Sequence, residues 1–412
     1  MNQRFSLLFL SSDKHPARRV DVSVLFAEKL AGRGHQIDFV LQSESDCDET
    51  FETEWEGCRV RVGSTDNGTQ WHARIKKHLA SLWLDIRSIG LMRKRSYDFV
   101  QLKDKYLSSL FIIPACRLFG VRFVYWLSFP FPEESLLKSR DPTANYPIFY
   151  RLRGHLFDLL FYHFIVKAAD LIFVQSEQMK RDLMARGVSA EKMFPVPMGV
   201  SLDKFPADIP VTGDASASPI IVYLGTLARV RKMDFLIRVF ERVTRCIPEA
   251  RLHLVGGGDD DLDMELLVKE AKRLKIEDKI LFTGMRPVHE ALEFVRAASV
   301  CVSPFSPTPV LNSTSPTKLV EYMAMGKAVV ANDHPEQQQV IEESGAGLCV
   351  PYDEAAFANA LIELLGDPVR CDEMGRRGRE YVEQNRTYER IADEVERQYQ
   401  LLCEPDKGLQ QR

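Results

Sequence analysis

The strongest constraint in this chain is a rhythm. Apolar or β-branched runs of a few residues alternate with longer stretches whose apolar residues recur at helical spacing. That is the pattern of parallel sheets with helices packed on their faces. In the first half the runs are Phe5–Leu10, Ile37–Leu41, Phe99–Leu102, Phe123–Leu127 and Leu171–Val174. In the second they are Ile220–Leu224, Arg251–Val255, Ile280–Phe282, Val300–Ser303 and Ala328–Ala331. Stretches such as Val20–Gly32, Asp234–Arg245 and Leu262–Leu274 supply the helices between them. The rhythm breaks once, at residues 207–219 (ADIPVTGDASASP), which lack apolar periodicity and read as a linker. Two α/β domains are therefore expected, at 1–206 and 220–386, with a cleft between them as the default site. Residues 387–412 form a last helix, Tyr388–Leu402, and a tail. No strand follows that helix, so it is free to cross back to the first domain.

Composition removes several function classes. The 412 residues carry 54 Lys and Arg against 58 Asp and Glu, a formal charge of -4, which argues against a nucleic-acid-binding surface. The eight cysteines form no C-x-x-C pair and no cluster with histidine, so neither zinc nor a disulfide framework is expected, and a reducing compartment fits. Phe5–Leu10 is too short for a signal-peptide core. The apolar stretch Leu156–Val166 is broken by Asp158 and His163 and falls short of the ~20 residues of a membrane span.

Three stretches carry chemistry. In Asn312-Ser313-Thr314-Ser315-Pro316-Thr317-Lys318, Ser315 suits an N-cap and Pro316 the first helical position. The N–H groups of Thr317 and Lys318 would then face out of a helix start, an anion site with the Lys318 charge beside it. Glu321, one turn on, is placed to accept two ribose hydroxyls. An ordinary capped helix with a surface glutamate fits these residues equally well. The second stretch follows a strand: Gly225, then Arg229, Arg231 and Lys232, a cation cluster suited to phosphates or simply a solvated basic loop. The third, Gly256-Gly257-Gly258 followed by Asp259-Asp260-Asp261, allows close backbone approach to a ligand. Its spacing fails the dinucleotide fingerprint, which makes an NAD oxidoreductase the least favoured class. The three aspartates read as a solvated turn rather than a metal site.

Taken together these segments resemble the GT-B glycosyltransferases, specifically the large retaining family 4 (group 1). The ordered matches include Gly225 to Lys232, Leu254 to Gly258, Ile280 to Gly284, Ala298 to Pro304 and Lys318 to Lys327 in the second half. In the first half they include Leu30 to His35, Ala169 to Ser176 and Pro197 to Asp203. The resemblance implies two Rossmann-like domains and a nucleotide diphosphate sugar as substrate. No cofactor and no metal are expected. Glu321 matches the second glutamate of the family's E-x7-E motif, the donor ribose ligand, while the first falls on Ser313. The family's cation-loop arginine is replaced by Thr226, and its lysine position falls on Arg231 with Lys232 beside it. Arg231, Lys232, Arg229, Thr317 and Lys318 are thus the diphosphate candidates. Gly225, Gly256, Gly284, Ser313 and Ser315 are expected near the nucleotide and sugar. The histidine expected in the acceptor domain near 127–129 is Ser128. No catalytic residue is identified, and Asp104 is the nearest ionisable candidate.

The expected reaction is transfer of a sugar to an acceptor hydroxyl in polysaccharide or lipid-linked glycan synthesis. Pro130–Pro132 and Asp141–Tyr146 are expected as acceptor loops. An epimerase or hydrolase on the same fold, or a silent binding subunit, are the alternatives. One further feature concerns the acceptor. Trp71, Ile75, Leu79, Leu82, Trp83, Ile86 and Ile89 share one helical face, expected to pack on the first sheet. Arg74, Lys76, Lys77, Arg87 and Arg93-Lys94-Arg95 surround it. Such a helix also suits peripheral attachment of a cytoplasmic protein to the inner face of a membrane.

Overall fold

The computed structural model describes residues 4–47, 49–65, 68, 71–140, 145–205 and 218–404, without the side chains of 71–74. The linker segment 207–217 and residues 141–144 of the expected acceptor loop lie outside the described residues. The chain forms two compact units, Met1–Pro197 with Tyr388–Arg412, and Met198–Thr387.

The first unit holds eight strands: β1 (Ser6–His15), β2 (Gln36–Ser43), β3 (Phe51–Trp55), β4 (Cys58–Gly63), β5 (Phe99–Lys103), β6 (Arg122–Leu127), β7 (Leu171–Val174) and β8 (Met193–Pro195). Their order is β3-β4-β2-β1-β5-β6-β7-β8. All neighbours are parallel except the β3–β4 hairpin. β1 is apolar on both faces because both are covered. Leu7 and Phe9 enter one core with Phe26 and Tyr399, while Leu8 and Leu10 enter the other with Val100 and Ile112.

The second unit holds β9 (Ile220–Leu224), β10 (Arg251–Val255), β11 (Ile280–Phe282), β12 (Val300–Ser303), β13 (Val329–Asn332) and β14 (Gly347–Val350). They form an all-parallel sheet ordered β11-β10-β9-β12-β13-β14. Strand order reverses between β9 and β12, which makes the carboxyl ends of these strands the natural ligand position.

The terminal helix Tyr388–Cys403 returns to the first unit. Tyr388, Ile391, Ala392, Val395 and Tyr399 enter its core, and the Tyr399 ring lies 4.7 Å from Phe5 and 4.9 Å from Phe99. The boundary falls earlier than residue 206. Val200 pairs with Thr387 and donates its N–H to the Arg386 carbonyl at 2.9 Å, and Phe205 is buried beside Val222 in the second core.

Helix Trp71–Lys94 is turned differently from expectation. Ile75, Leu79 and Trp83 are 49, 60 and 55% exposed, while Leu84, Asp85, Ser88, Leu91 and Met92 face inward. Asp85 sets this rotation. Its buried carboxylate receives Lys105 Nζ at 2.7 Å and the Ser108 hydroxyl at 2.5 Å, partners too distant in sequence to be anticipated. Arg95 is held by Asp38. Pro130–Pro132 is likewise no loop: helix Phe131–Lys138 starts there, with Pro130 as its cap residue. Among the described residues no helix is long and apolar enough to cross a membrane.

Candidate functional site

The second unit gathers its glycine loops at the carboxyl ends of β9, β10 and β11. Gly225 donates its N–H to the Val255 carbonyl, and Leu227 donates to Gly257, both at 2.8 Å. Gly256 bridges Gly284. The approach is close enough to exclude side chains: a Cβ on Gly256 would lie 2.0 Å from the Gly225 carbonyl oxygen.

Helix Thr317–Ala324 is fastened to this floor by Tyr322. β9 and β12 pair only through Ile221 and Val222, so Leu224 lies beyond their ladder. The buried Tyr322 hydroxyl replaces the missing strand, accepting the Leu224 N–H at 2.8 Å and facing its carbonyl at 3.4 Å. One turn back, Lys318 extends across Gly225. A Cβ there would meet Lys318 Cε at 2.0 Å and Nζ at 2.7 Å, and Nζ sits 5.6 Å from the centre of the Tyr223 ring.

Lys318 and Glu321 are each half-buried in a spot crowded by protein that water still reaches. Burial, with the Arg231 charge adding to it, pushes the Lys318 ammonium down to about 8, against the opposing pull of Glu321. Burial likewise raises Glu321, with Lys318 opposing. Two cations, Arg231 and Lys318, thus bear on each other beside one carboxylate, at a helix start whose first N–H groups have no intrahelical acceptor.

The sequence candidates separate in this geometry. Arg231 joins Lys318, its guanidinium 5.6 Å from the Phe305 ring. Arg229 does not: it is paired with Asp260 at 2.9 Å and Asp263 at 2.7 Å. Lys232 is exposed, at a left-handed backbone position (φ 51°). The Asp259–Asp261 segment is a helix start rather than a free turn, with Asp260 accepting the Asp263 N–H at 3.0 Å. Ser315 is not the cap either, because Pro316 holds that position. The Ser315 hydroxyl instead donates to Glu336 at 2.7 Å and accepts the Met198 N–H at 2.9 Å. Ser313 is buried, its hydroxyl 3.2 Å from the Pro309 carbonyl. Sequence reasoning missed Tyr322, Phe305 and Glu336, whose partners lie far along the chain.

In the first unit the reversal of strand order lies between β1 and β5, and a charged cluster occupies it. Asp104, with φ 56°, takes the Ser128 N–H at 2.9 Å and the Ser128 hydroxyl as well. Burial raises its carboxyl to about 6, against the pull of Lys103 and Ser128. Beside it the buried Lys103 amine bonds Asp21 at 3.1 Å and Asp13 at 3.2 Å, and Arg19 grips Asp21 from the other side at 2.7 Å. Burial would raise Asp21, but these two cations outweigh it and hold the carboxyl near 2. Asp104 and Ser128 were expected to be neighbours. Asp13, Arg19, Asp21 and Lys103 were not singled out, because they come from three separate segments.

Comparison with known proteins gives two family models in tandem. Residues 22–199 match the glycosyl transferase 4-like domain, and residues 218–367 match glycosyl transferases group 1. The alpha-maltose-1-phosphate synthase of Mycolicibacterium smegmatis is 26% identical over 255 residues, 56% of this chain and 62% of that protein. A GDP-mannose-dependent alpha-(1-6)-phosphatidylinositol monomannoside mannosyltransferase of the same organism is 29% identical over 231 residues, covering 53% and 58% of the two chains. The matched stretches thus span less than two thirds of these relatives. Among solved structures, sucrose-phosphate synthase from Thermosynechococcus elongatus superposes with a TM-score of 0.74 at 22% identity, over 97% of this chain and 99% of that one. Anabaena Alr3699/HepE, solved with UDP and glucose, gives 0.67 at 16% identity over 96% and 99%. The fold shared with these neighbours is GT-B. With both halves matched in order, the chain belongs to the group 1, family 4 glycosyltransferases.

Proposed function

We propose that this protein transfers a sugar, with retention and without a metal or cofactor, from a nucleotide diphosphate donor to an acceptor hydroxyl. The observation that carries the reading is the Lys318–Arg231 pair at the start of helix Thr317–Ala324. A half-buried ammonium whose proton is already loosened by its crowded surroundings and a neighbouring cation gains most from a polyanion that secures its charge. In this reading Lys318, Arg231 and the Thr317 N–H hold the diphosphate, with Lys232 at the rim. Arg229 acts indirectly, by fixing the loop through Asp260 and Asp263. Glu321 accepts the ribose hydroxyls. Gly225, Gly256 and Gly284 let the nucleotide approach the backbone, with Ser313 and Ser315 shaping the turn before the helix.

Fixed cations and a helix start stabilise the departing diphosphate, where negative charge grows as the glycosidic bond breaks. Asp104, held by Ser128, is the group assigned to the acceptor hydroxyl and its proton. The named activities of the relatives support a glycan or lipid-linked acceptor. A lipid-linked acceptor, together with the basic helix Trp71–Lys94, supports a cytoplasmic protein bound peripherally to the inner membrane face.

The test is a panel of UDP- and GDP-sugars scored by thermal stabilisation, followed by transfer assays with the best donor and hydroxyl acceptors in chelator. Nucleoside diphosphate release that requires acceptor, with the donor's anomeric configuration kept in the product, is expected. Turnover of donor alone would make the protein a hydrolase or epimerase. Loss of activity on chelation would refute the metal-free leaving-group mechanism.

A further inference from the structure

Helix Pro147–Leu160 shows its apolar side to solvent. Ile148, Phe149, Leu152, Leu156 and Leu159 are 74, 59, 67, 44 and 50% exposed. At 3.6 residues per turn, all but Phe149 fall within an arc of about 80°, with Phe149 at its rim. The opposite side is firmly seated. A Cβ on Gly154 would meet Leu136 at 2.8 Å, and Phe157 stacks on Tyr106 with centroids 4.5 Å apart. The outward stripe is therefore a fixed feature of the fold.

Neighbouring helices extend it. Helix Tyr106–Phe119 exposes Leu110 and Phe111, and helix Trp71–Lys94 exposes Leu79 and Trp83. Helix Tyr106–Phe119 packs against both of the others. Charge on this side is unbalanced. Asp158 is paired with Arg186 and Glu134 with Lys138, while Arg151 and Lys167 are exposed along the same helical run. Fourteen residues are too few to span a bilayer. An apolar stripe flanked by cations, with nearby carboxylates already paired, matches an anionic lipid surface.

We infer that helix Pro147–Leu160 lies in the interface of an anionic bilayer with its stripe below the headgroups. It supplies the apolar part of an attachment whose electrostatic part comes from the basic helix Trp71–Lys94. The inference rests on the membrane-linked reading above, and gives it a defined contact surface.

The experiment is co-sedimentation of the full chain with phosphatidylglycerol–phosphatidylcholine vesicles and with phosphatidylcholine alone, at low and high salt. Wild type is expected to prefer the anionic vesicles and to retain part of its binding at high salt. Replacing Ile148, Phe149 and Leu152 by Ser should reduce the partition coefficient at least ten-fold at both salt concentrations. Replacing Lys76, Lys77, Arg93 and Lys94 by Gln should remove only the salt-sensitive part. As an independent readout, Phe149→Trp fluorescence should be quenched by lipids brominated high on the acyl chain. Wild type that ignores vesicles, a Ser variant that partitions like wild type, or absence of quenching would each overturn the inference. A wild-type dimer that the Ser variant dissolves would show that a second copy covers the stripe instead. Donor-induced thermal stabilisation, measured on the same preparations, should be unchanged in the Ser variant. Its absence in wild type would sink the transferase reading without touching the vesicle result.

Discussion

Gly225→Ala separates the role of the donor loop from its stability. The new methyl would lie 2.0 Å from Lys318 Cε and 2.7 Å from Nζ. Carbon atoms rest at ~3.5–4.0 Å, so the Lys318 chain must retreat by roughly 1.5 Å. A flexible lysine can do so at little cost to folding, but its ammonium leaves the place assigned to the diphosphate. Loss of one charge-assisted contact is worth ~1.5–3 kcal/mol, or roughly 10- to 150-fold in donor affinity. Separately, φ of 153° at this position strains any residue with a Cβ, at ~1–3 kcal/mol. For a unit of this size that lowers Tm by about 2–4 °C per kcal/mol. Gly256→Ala is the contrast: its methyl would meet the Gly225 backbone oxygen at 2.0 Å, and no rotamer relieves that. It should lower Tm more than Gly225→Ala does. The assay is calorimetric titration of donor beside thermal melts, with Lys318→Ala alone and combined with Gly225→Ala. The combined variant should bind no more weakly than Lys318→Ala alone, because both changes remove the same contact. Donor affinity unchanged in Gly225→Ala, or full additivity in the double variant, would refute the reasoning.

Donor affinity should be flat below about pH 8, where Lys318 is charged without donor, and weaken by up to ~ten-fold per pH unit above it, because only the complex retains the proton. The dependence should vanish in Lys318→Met, as titration across pH 6.5–9.5 will show. Transfer rate should fall as pH drops below about 6, where Asp104 takes up its proton, and Asp104→Asn should abolish that limb in rate–pH profiles. Tyr322→Phe leaves the part-buried Leu224 N–H without its 2.8 Å partner and should cost ~1 kcal/mol in urea unfolding. Arg231→Ala should weaken donor binding at unchanged Tm, whereas Arg229→Ala should lower Tm by freeing the buried Asp263, a split visible by running both assays on each variant.

What was legible in the sequence depended on how local its cause was. Leu171–Val174, Ile220–Leu224 and Ile280–Phe282 are short apolar runs, Arg251–Val255 alternates apolar and polar residues up to Gly256, and all four are strands with those bounds. The hairpin of β3 and β4 escaped notice because its strands carry Glu52, Glu54, Arg59 and Arg61 on a solvent face. Its signal was the turn Glu56-Gly57, where both residues are left-handed, at φ 50° and 72°. Lys318 and Glu321 could be found because one helix carries both. The Arg19–Asp21–Lys103–Asp13 cluster could not, since three separate segments build it. The same holds for helix Trp71–Lys94. Its apolar residues suggest an inward face, but the Asp85–Lys105 pair, formed between helix and distant loop, turns Ile75, Leu79 and Trp83 outward. Ser315 looked like a cap because Ser-Pro commonly starts helices, yet Glu336 and the Met198 amide claim its hydroxyl.

The central claim is that Glu321 and Lys318 hold a nucleotide diphosphate by its ribose and phosphates. It is tested most directly by titrating a nucleoside diphosphate and its 2′,3′-dideoxy analogue into wild type and Glu321→Gln. Loss of the two hydroxyl bonds to a carboxylate should cost ~1.5–3 kcal/mol whether the hydroxyls or the charge are removed. Wild type should therefore prefer the natural nucleotide by roughly 10- to 150-fold, and Glu321→Gln should bind both nucleotides about equally, at the weaker affinity. A variant that binds the natural nucleotide as tightly as wild type, or keeps the full preference over the dideoxy analogue, would contradict the account.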